Sequence, residues 1–183
     1  MENLSIKIVT VLLKKHYIEE SMYNIYKYGM QMALEVGFSF ITSVVICCLC
    51  DKIVEGIIFF TVFIPLRSFL GGFHMKSYWA CYLFSCLTLI AVLLISSFEI
   101  EWGISLLILS ISIIIVFFEA KRERLRDVEG RHFYPRICLI LVCILFASVI
   151  FKVLNCPSKF FLLACTVFLV AGSKLLENAF ARG

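Results

Sequence analysis

Charge is scarce in this chain. Only 16% of its 183 residues are Asp, Glu, Lys or Arg, 62% are apolar, and the mean hydropathy is +1.00. A soluble domain carries about a quarter charged residues, so an ordinary water-soluble fold is excluded and the integral membrane class is left. A small-residue cleavage site is missing from residues 1–10, where Glu2 and Lys7 interrupt scattered apolar residues. No removable signal peptide is therefore expected, and insertion rests on the spans themselves. Histidine is limited to His16, His74 and His132, dispersed and without a His-Glu-x-x-His pattern, which argues against a zinc protease. No internal repeat or low-complexity tract is visible, so the pattern gives no support to an inverted-repeat transporter.

What the chain has instead is long apolar runs. Crossing about 30 Å of hydrocarbon takes about 20 residues, which limits 183 residues to about six spans and leaves no sizeable extramembrane domain. Six stretches are found, at 30–50, 53–66, 78–98, 102–118, 133–151 and 160–176; the third and fourth contain no charge. Gly71-Gly72, Gly130, Pro135 and Pro157 punctuate the junctions. The expected architecture is all-α and polytopic: one membrane-embedded domain over 1–183, with an N-terminal interfacial segment at 1–28, a helical bundle at 29–176 and a cytoplasmic tail at 177–183.

The formal charge of +4 is a matter of topology rather than of nucleic-acid binding. Fourteen of the seventeen Lys and Arg fall on alternate connections: Lys7, Lys14, Lys15 and Lys27; Arg67 and Lys76; Lys121, Arg122, Arg124, Arg126, Arg131 and Arg136; Lys174 and Arg182. The other side has only Lys52, Lys152 and Lys159, with Glu99 and Glu101. Basic residues collect on the cytoplasmic face, so both termini are expected there, and the clean separation supports an even number of spans.

Nine cysteines suggest chemistry or packing. Cys47, Cys48, Cys50, Cys86, Cys138, Cys143 and Cys165 lie inside apolar runs and are expected to be packing thiols, while Cys156 sits in a turn beside Pro157. Cys47-Cys48-x-Cys50 is dense enough for a metal, yet no nearby His completes it, and neither a metal nor another cofactor is expected. Glu35 and Glu55 fall within apolar stretches, where ionisable groups are costly; they leave open a small transporter or channel that uses them as pathway residues. His74 sits in a Gly-rich junction and Cys81 follows it in the next span; an imidazole that takes a thiol proton makes the thiolate nucleophile of a covalent mechanism. Seven residues on a straight helix separate them by about 10.5 Å, so the pair requires a bend, for which Gly71-Gly72 supplies permissive backbone and free amides. Residue chemistry alone keeps open the alternative that the glycines make a plain turn and Cys81 packs in the third span.

Arg67, Gly72, His74 and Cys81, with six residues between His and Cys and a long uncharged span after them, resemble the accessory gene regulator B family of bacterial membrane endopeptidases. The resemblance extends over the chain in length, hydropathy and topology. It implies a multi-pass enzyme of the bacterial cell membrane that cuts a short quorum-sensing pro-peptide at the cytoplasmic face and promotes thiolactone or lactone closure. Cys81 matches the family nucleophile and His74 its catalytic histidine. Arg67 and Gly72 match further positions of the motif with a supporting role implied; the amides around Gly71 and Gly72, or Arg67, are oxyanion candidates, Arg67 alternatively holding a lipid headgroup. A homodimer is implied as well. Arg122, Arg124, Arg126 and Arg131 are candidates for docking an acidic pro-peptide tail, although Glu123, Asp127 and Glu129 mix acid into a connection that is more purely basic in relatives.

Overall fold

A computed structural model of the protein describes residues 2–15, 17–71, 78–98, 100–126 and 128–180, and every regular element among them is helical. The fold is all-α and polytopic. Its internal contacts divide the chain into two units, residues 1–46 and residues 47–183.

The first unit holds α1 (Glu2–Lys14), a 3-10 turn at Glu20–Met22, and most of α2 (Tyr23–Leu49). The expected interfacial segment is thereby divided. Its first half is α1, with Ser5 and Val9 buried one turn apart, while its last residues belong to the first spanning helix, which starts at Tyr23 rather than near residue 30. Tyr23, Tyr26 and Tyr28 explain the early start, because amphipathic rings suit a helix entering through the headgroup region. Ser39, Thr42 and Ser43 donate to the carbonyls of Glu35, Phe38 and Ser39 at 2.9, 2.9 and 2.8 Å, so their hydroxyls need no outside partner in an apolar surround.

The second unit contains α3 (Ile53–Leu70), α4 (Tyr78–Ile95), α5 (Trp102–Arg126), α6 (Val128–Val153) and α7 (Pro157–Phe180). Each of the six expected spans thus corresponds to one helix from α2 to α7. Five are long and apolar enough to cross a membrane by length and composition; the shorter one is α4, whose described apolar stretch is Tyr82–Ile95. α4 ends three residues before the expected limit, with residues 96–98 in turn and bend conformations.

Helices α3, α5, α6 and α7 share the core, and α4 lies along α7. α7 is the most enclosed element, with Phe160, Leu163, Ala164, Val167, Val170 and Ala171 all buried. They share that core with Leu66 and Leu70 of α3, with Leu109, Val116 and Ala120 of α5, and with Ile137, Leu141 and Ile144 of α6. Small residues let the helices approach: Ser105 and Ser112 are buried on α5, and Ser112 donates to the Ile108 carbonyl at 2.6 Å. The outward faces of α4 and α6 carry Leu83, Phe84, Leu87, Leu139, Val142 and Phe146 in exposed positions, as lipid-facing surfaces should.

Two connections use the same turn. Asp51 and Asn155 both adopt φ 52°; Lys52 N–H bonds the Cys47 carbonyl and Cys156 N–H bonds the Phe151 carbonyl, each at 3.0 Å. The Asp51 and Asn155 N–H groups bond the Cys48 and Lys152 carbonyls at 3.1 and 3.2 Å, completing a Schellman-type closure at each helix end. Asp and Asn are the non-glycine residues that enter this left-handed region most readily.

The connection expected over 119–136 is almost entirely helical. α5 continues past residue 118 to Arg126, and α6 begins at Val128 and runs through both Gly130 and Pro135. Lys, Arg, Glu and Leu are good helix formers, so the charged residues extend α5 beyond its apolar section. α7 likewise continues to Phe180, past the expected bundle end at 176.

Candidate functional site

Side-chain contacts establish which helix ends lie together. Lys174, late in α7, pairs with Glu123, late in α5, at 3.1 Å, and its Nζ adjoins Gly71, which closes α3. The C-terminal ends of α3, α5 and α7 therefore meet. Phe69 of α3 lies 5.6 Å from Phe133 near the start of α6, bringing that N-terminus to the same place. At the other end of α3, Lys52 donates to the Leu93 carbonyl and to Ser96, the latter at 3.2 Å, and to Ser97, all at the close of α4. α4 is 18 residues long, about 27 Å, so its start belongs to the end where Gly71 lies.

Of the expected site residues, Arg67 lies in the last turn of α3, half-buried, with its guanidinium 5.6 Å from the Phe63 ring centre. Gly71 has φ 77° and ψ −160°, a backbone that residues with a side chain rarely adopt, and its N–H bonds the Arg67 carbonyl at 3.0 Å. Gly72 and His74 lie outside the described residues. Cys81 is the fourth residue of α4, in the first turn, and its side chain also lies outside what is described. The first four amides of a helix have no intrahelical acceptor, and the positive end of the helix dipole favours an anion there.

The basic candidates are arranged on aromatic and acidic partners. Arg124 sits 4.8 Å from the Tyr134 ring centre, and Arg122 lies 3.7 Å from Glu119. Arg136 lies 5.5 Å from the Phe69 ring centre and 5.9 Å from that of Phe133. Arg126 ends α5 and Arg131 lies in the first turns of α6; their side chains are outside the described set. Glu55 occupies the first turn of α3, where a carboxylate complements the helix dipole, and Glu35 accepts from Gln31 of its own helix at 3.0 Å.

Lys174 escapes a reading of the sequence, in which it is one more topological charge near the C-terminus. In the structure it is 5% exposed within α7 and bonds both Glu123 and Glu177, the latter at 3.0 Å. The i,i+3 spacing of Lys174 and Glu177 is visible in the sequence, but Glu123 is remote and only the α5–α7 packing brings it close. Asn178 extends the cluster by donating to Glu119 at 2.8 Å. An apolar groove of about 410 Å³ opens between α4, α5 and α7, lined among others by Thr88, Val92, Ile108, Phe161 and Phe168. Thr88 is seven residues after Cys81, so helical register puts the two positions on one face of α4.

The family model described as Accessory gene regulator B matches residues 5–176, from α1 to the late turns of α7. The chain is also 23% identical over 174 residues to Protein FsrB of Enterococcus faecalis (strain ATCC 47077 / OG1RF), covering 83% of this chain and 72% of that protein. No solved structure matches significantly. Because the family match takes in the helical bundle as a whole, the chain belongs to the accessory gene regulator B family and is a multi-pass membrane protein of quorum-sensing peptide processing.

Proposed function

We propose that the protein is a cysteine endopeptidase that cleaves a short quorum-sensing pro-peptide through an acyl-thioester on Cys81. The observation that carries this reading is positional: α4 begins at the bundle end where Gly71 closes α3, and its first turn contains Cys81, seven residues after His74. His74 takes the Cys81 thiol proton; the thiolate adds to the scissile carbonyl; collapse expels the amine, which receives that proton from His74. The acyl group remains on sulfur. A thiol or hydroxyl within the same peptide then attacks the thioester carbonyl, closing a thiolactone or lactone and returning the proton to Cys81. Amides of the first turn of α4, or Arg67, stabilise the oxyanion. The basic end faces the cytoplasm, with both termini on that side, and two copies of the chain assemble as a homodimer. Arg122, Arg124, Arg126 and Arg131 draw in an acidic peptide tail.

The test is a short alkylation pulse in inside-out vesicles, resolved cysteine by cysteine by mass spectrometry across a pH series. Cys81 is expected to react ahead of the other eight cysteines and below the ordinary thiol pKa of about 8.5, and to lose that lead in His74→Ala. Equal, His74-independent reactivity of Cys81 and Cys143 overturns the dyad. For docking, Arg124→Ala should raise KM for the pro-peptide and leave kcat unchanged.

A further inference from the structure

Lys174 is the only charged residue that is buried among the described residues. An ionised group in the interior of a membrane bundle is costly unless paired, and here the pairing is double: Glu123 of α5 at 3.1 Å and Glu177 of α7 at 3.0 Å. Two helices also end beside it, α3 at Leu70 and α5 at Arg126, within a turn of Glu123, so two negative helix-dipole ends favour a cation at this place.

The ammonium touches one further element. A Cβ built on Gly71 would lie 3.4 Å from Lys174 Nζ and 3.7 Å from Glu177 Oε2. Lys174 and Glu177 therefore lie at packing distance from Gly71, which closes α3 with φ 77°. The chain reaches His74 three residues later. Two features thus meet at one backbone position: a conformation that favours glycine, and direct packing against the buried ammonium of an ion-pair network.

We infer that Lys174 is a positioning residue, which through its ion pairs with Glu123 and Glu177 sets the Gly71 turn and thereby the alignment of His74 with Cys81. The inference rests on the proposed peptidase reading. Lys174 touches no reacting atom; it acts through the backbone. Losing the ammonium leaves Glu123 and Glu177, the latter beside Gly71, without their shared cation, whereas an arginine keeps the charge.

The experiment uses the full-length protein in vesicles, with iodoacetamide as probe and Cys143 of the same molecule as internal reference. Lys174→Met is expected to reduce the neutral-pH ratio of Cys81 to Cys143 alkylation by about tenfold and to move the Cys81 pH profile upward. Lys174→Arg should keep most of the ratio. Because Lys174→Met exposes two carboxylates to each other, the neutral triple variant Lys174→Met, Glu123→Gln, Glu177→Gln is measured beside it, with helix content and gel filtration in detergent as folding checks. A folded triple variant with a wild-type Cys81 profile overturns the inference; a folded variant that has lost the profile supports it. If wild-type Cys81 has no lead over Cys143, the peptidase reading itself fails and the positioning role falls with it. A wild-type lead retained without Lys174 removes only the positioning role.

Discussion

Lys52 and Lys174 both bring an ammonium to an end of α3, and they are satisfied in opposite ways. Lys52 donates to neutral oxygens, the Leu93 carbonyl and the hydroxyls of Ser96 and Ser97, and so finishes the C-terminal end of α4. Lys174 is held by two carboxylates from two helices and rests against a glycine turn. The Lys52 arrangement is a helix cap with a favourable dipole contribution; no charge is stranded if it is lost. The Lys174 arrangement is a charge network built on one buried ammonium, so its deletion leaves two partly exposed carboxylates without their shared cation.

The largest test of this contrast is Lys174→Met, expected to destabilise the folded protein by about 2–4 kcal/mol, below the full cost of breaking a buried pair because Glu123 and Glu177 keep part of their solvent. Denaturant titration in detergent micelles reads it, and adding Glu123→Gln and Glu177→Gln should recover most of the loss. Next comes Gly56→Ala, at the Lys52 end, where a new Cβ would overlap Cys47 Sγ. The overpacking should cost about 1–3 kcal/mol, most of it relieved by Cys47→Ala. In the same titration Asn155→Val should cost about 1–2 kcal/mol, because a β-branched residue resists φ 52°, while Asn155→Gly should be close to neutral. Lys52→Met should be smallest, about 1 kcal/mol. If it matches Lys174→Met, the two ends do not differ in the way described.

Much of the fold was legible because a bilayer restricts the choices: apolar runs had to become helices, and the distribution of Lys and Arg predicts their alternation. Helix ends were harder to read. Residues 119–136 look like a loop when charge is taken as the mark of a connection, yet these residue types also propagate helices, and α5 and α6 consume nearly all of them. Gly130 and Pro135 likewise read as breakers and are carried inside α6. A turn beside Cys156 and Pro157 was expected, but the left-handed backbone at Asp51 and Asn155 was not, since neither residue demands it. At the proposed site, Arg67 was singled out through the family resemblance and Gly71 through the Gly-Gly pair, both being close in sequence to His74. Lys174 was not, because its meaning depends on Glu123 and Gly71, which only tertiary packing brings beside it.

The matching turns at Asp51 and Asn155 also bear on how the protein can be handled. With the backbone closed over so few residues, neither turn offers slack for a loop insertion, a protease or an antibody. Tags and reporters should be tolerated poorly there. A labelling strategy for the α3 and α7 entrances would do better to replace one turn residue with a single reactive side chain than to lengthen the connection.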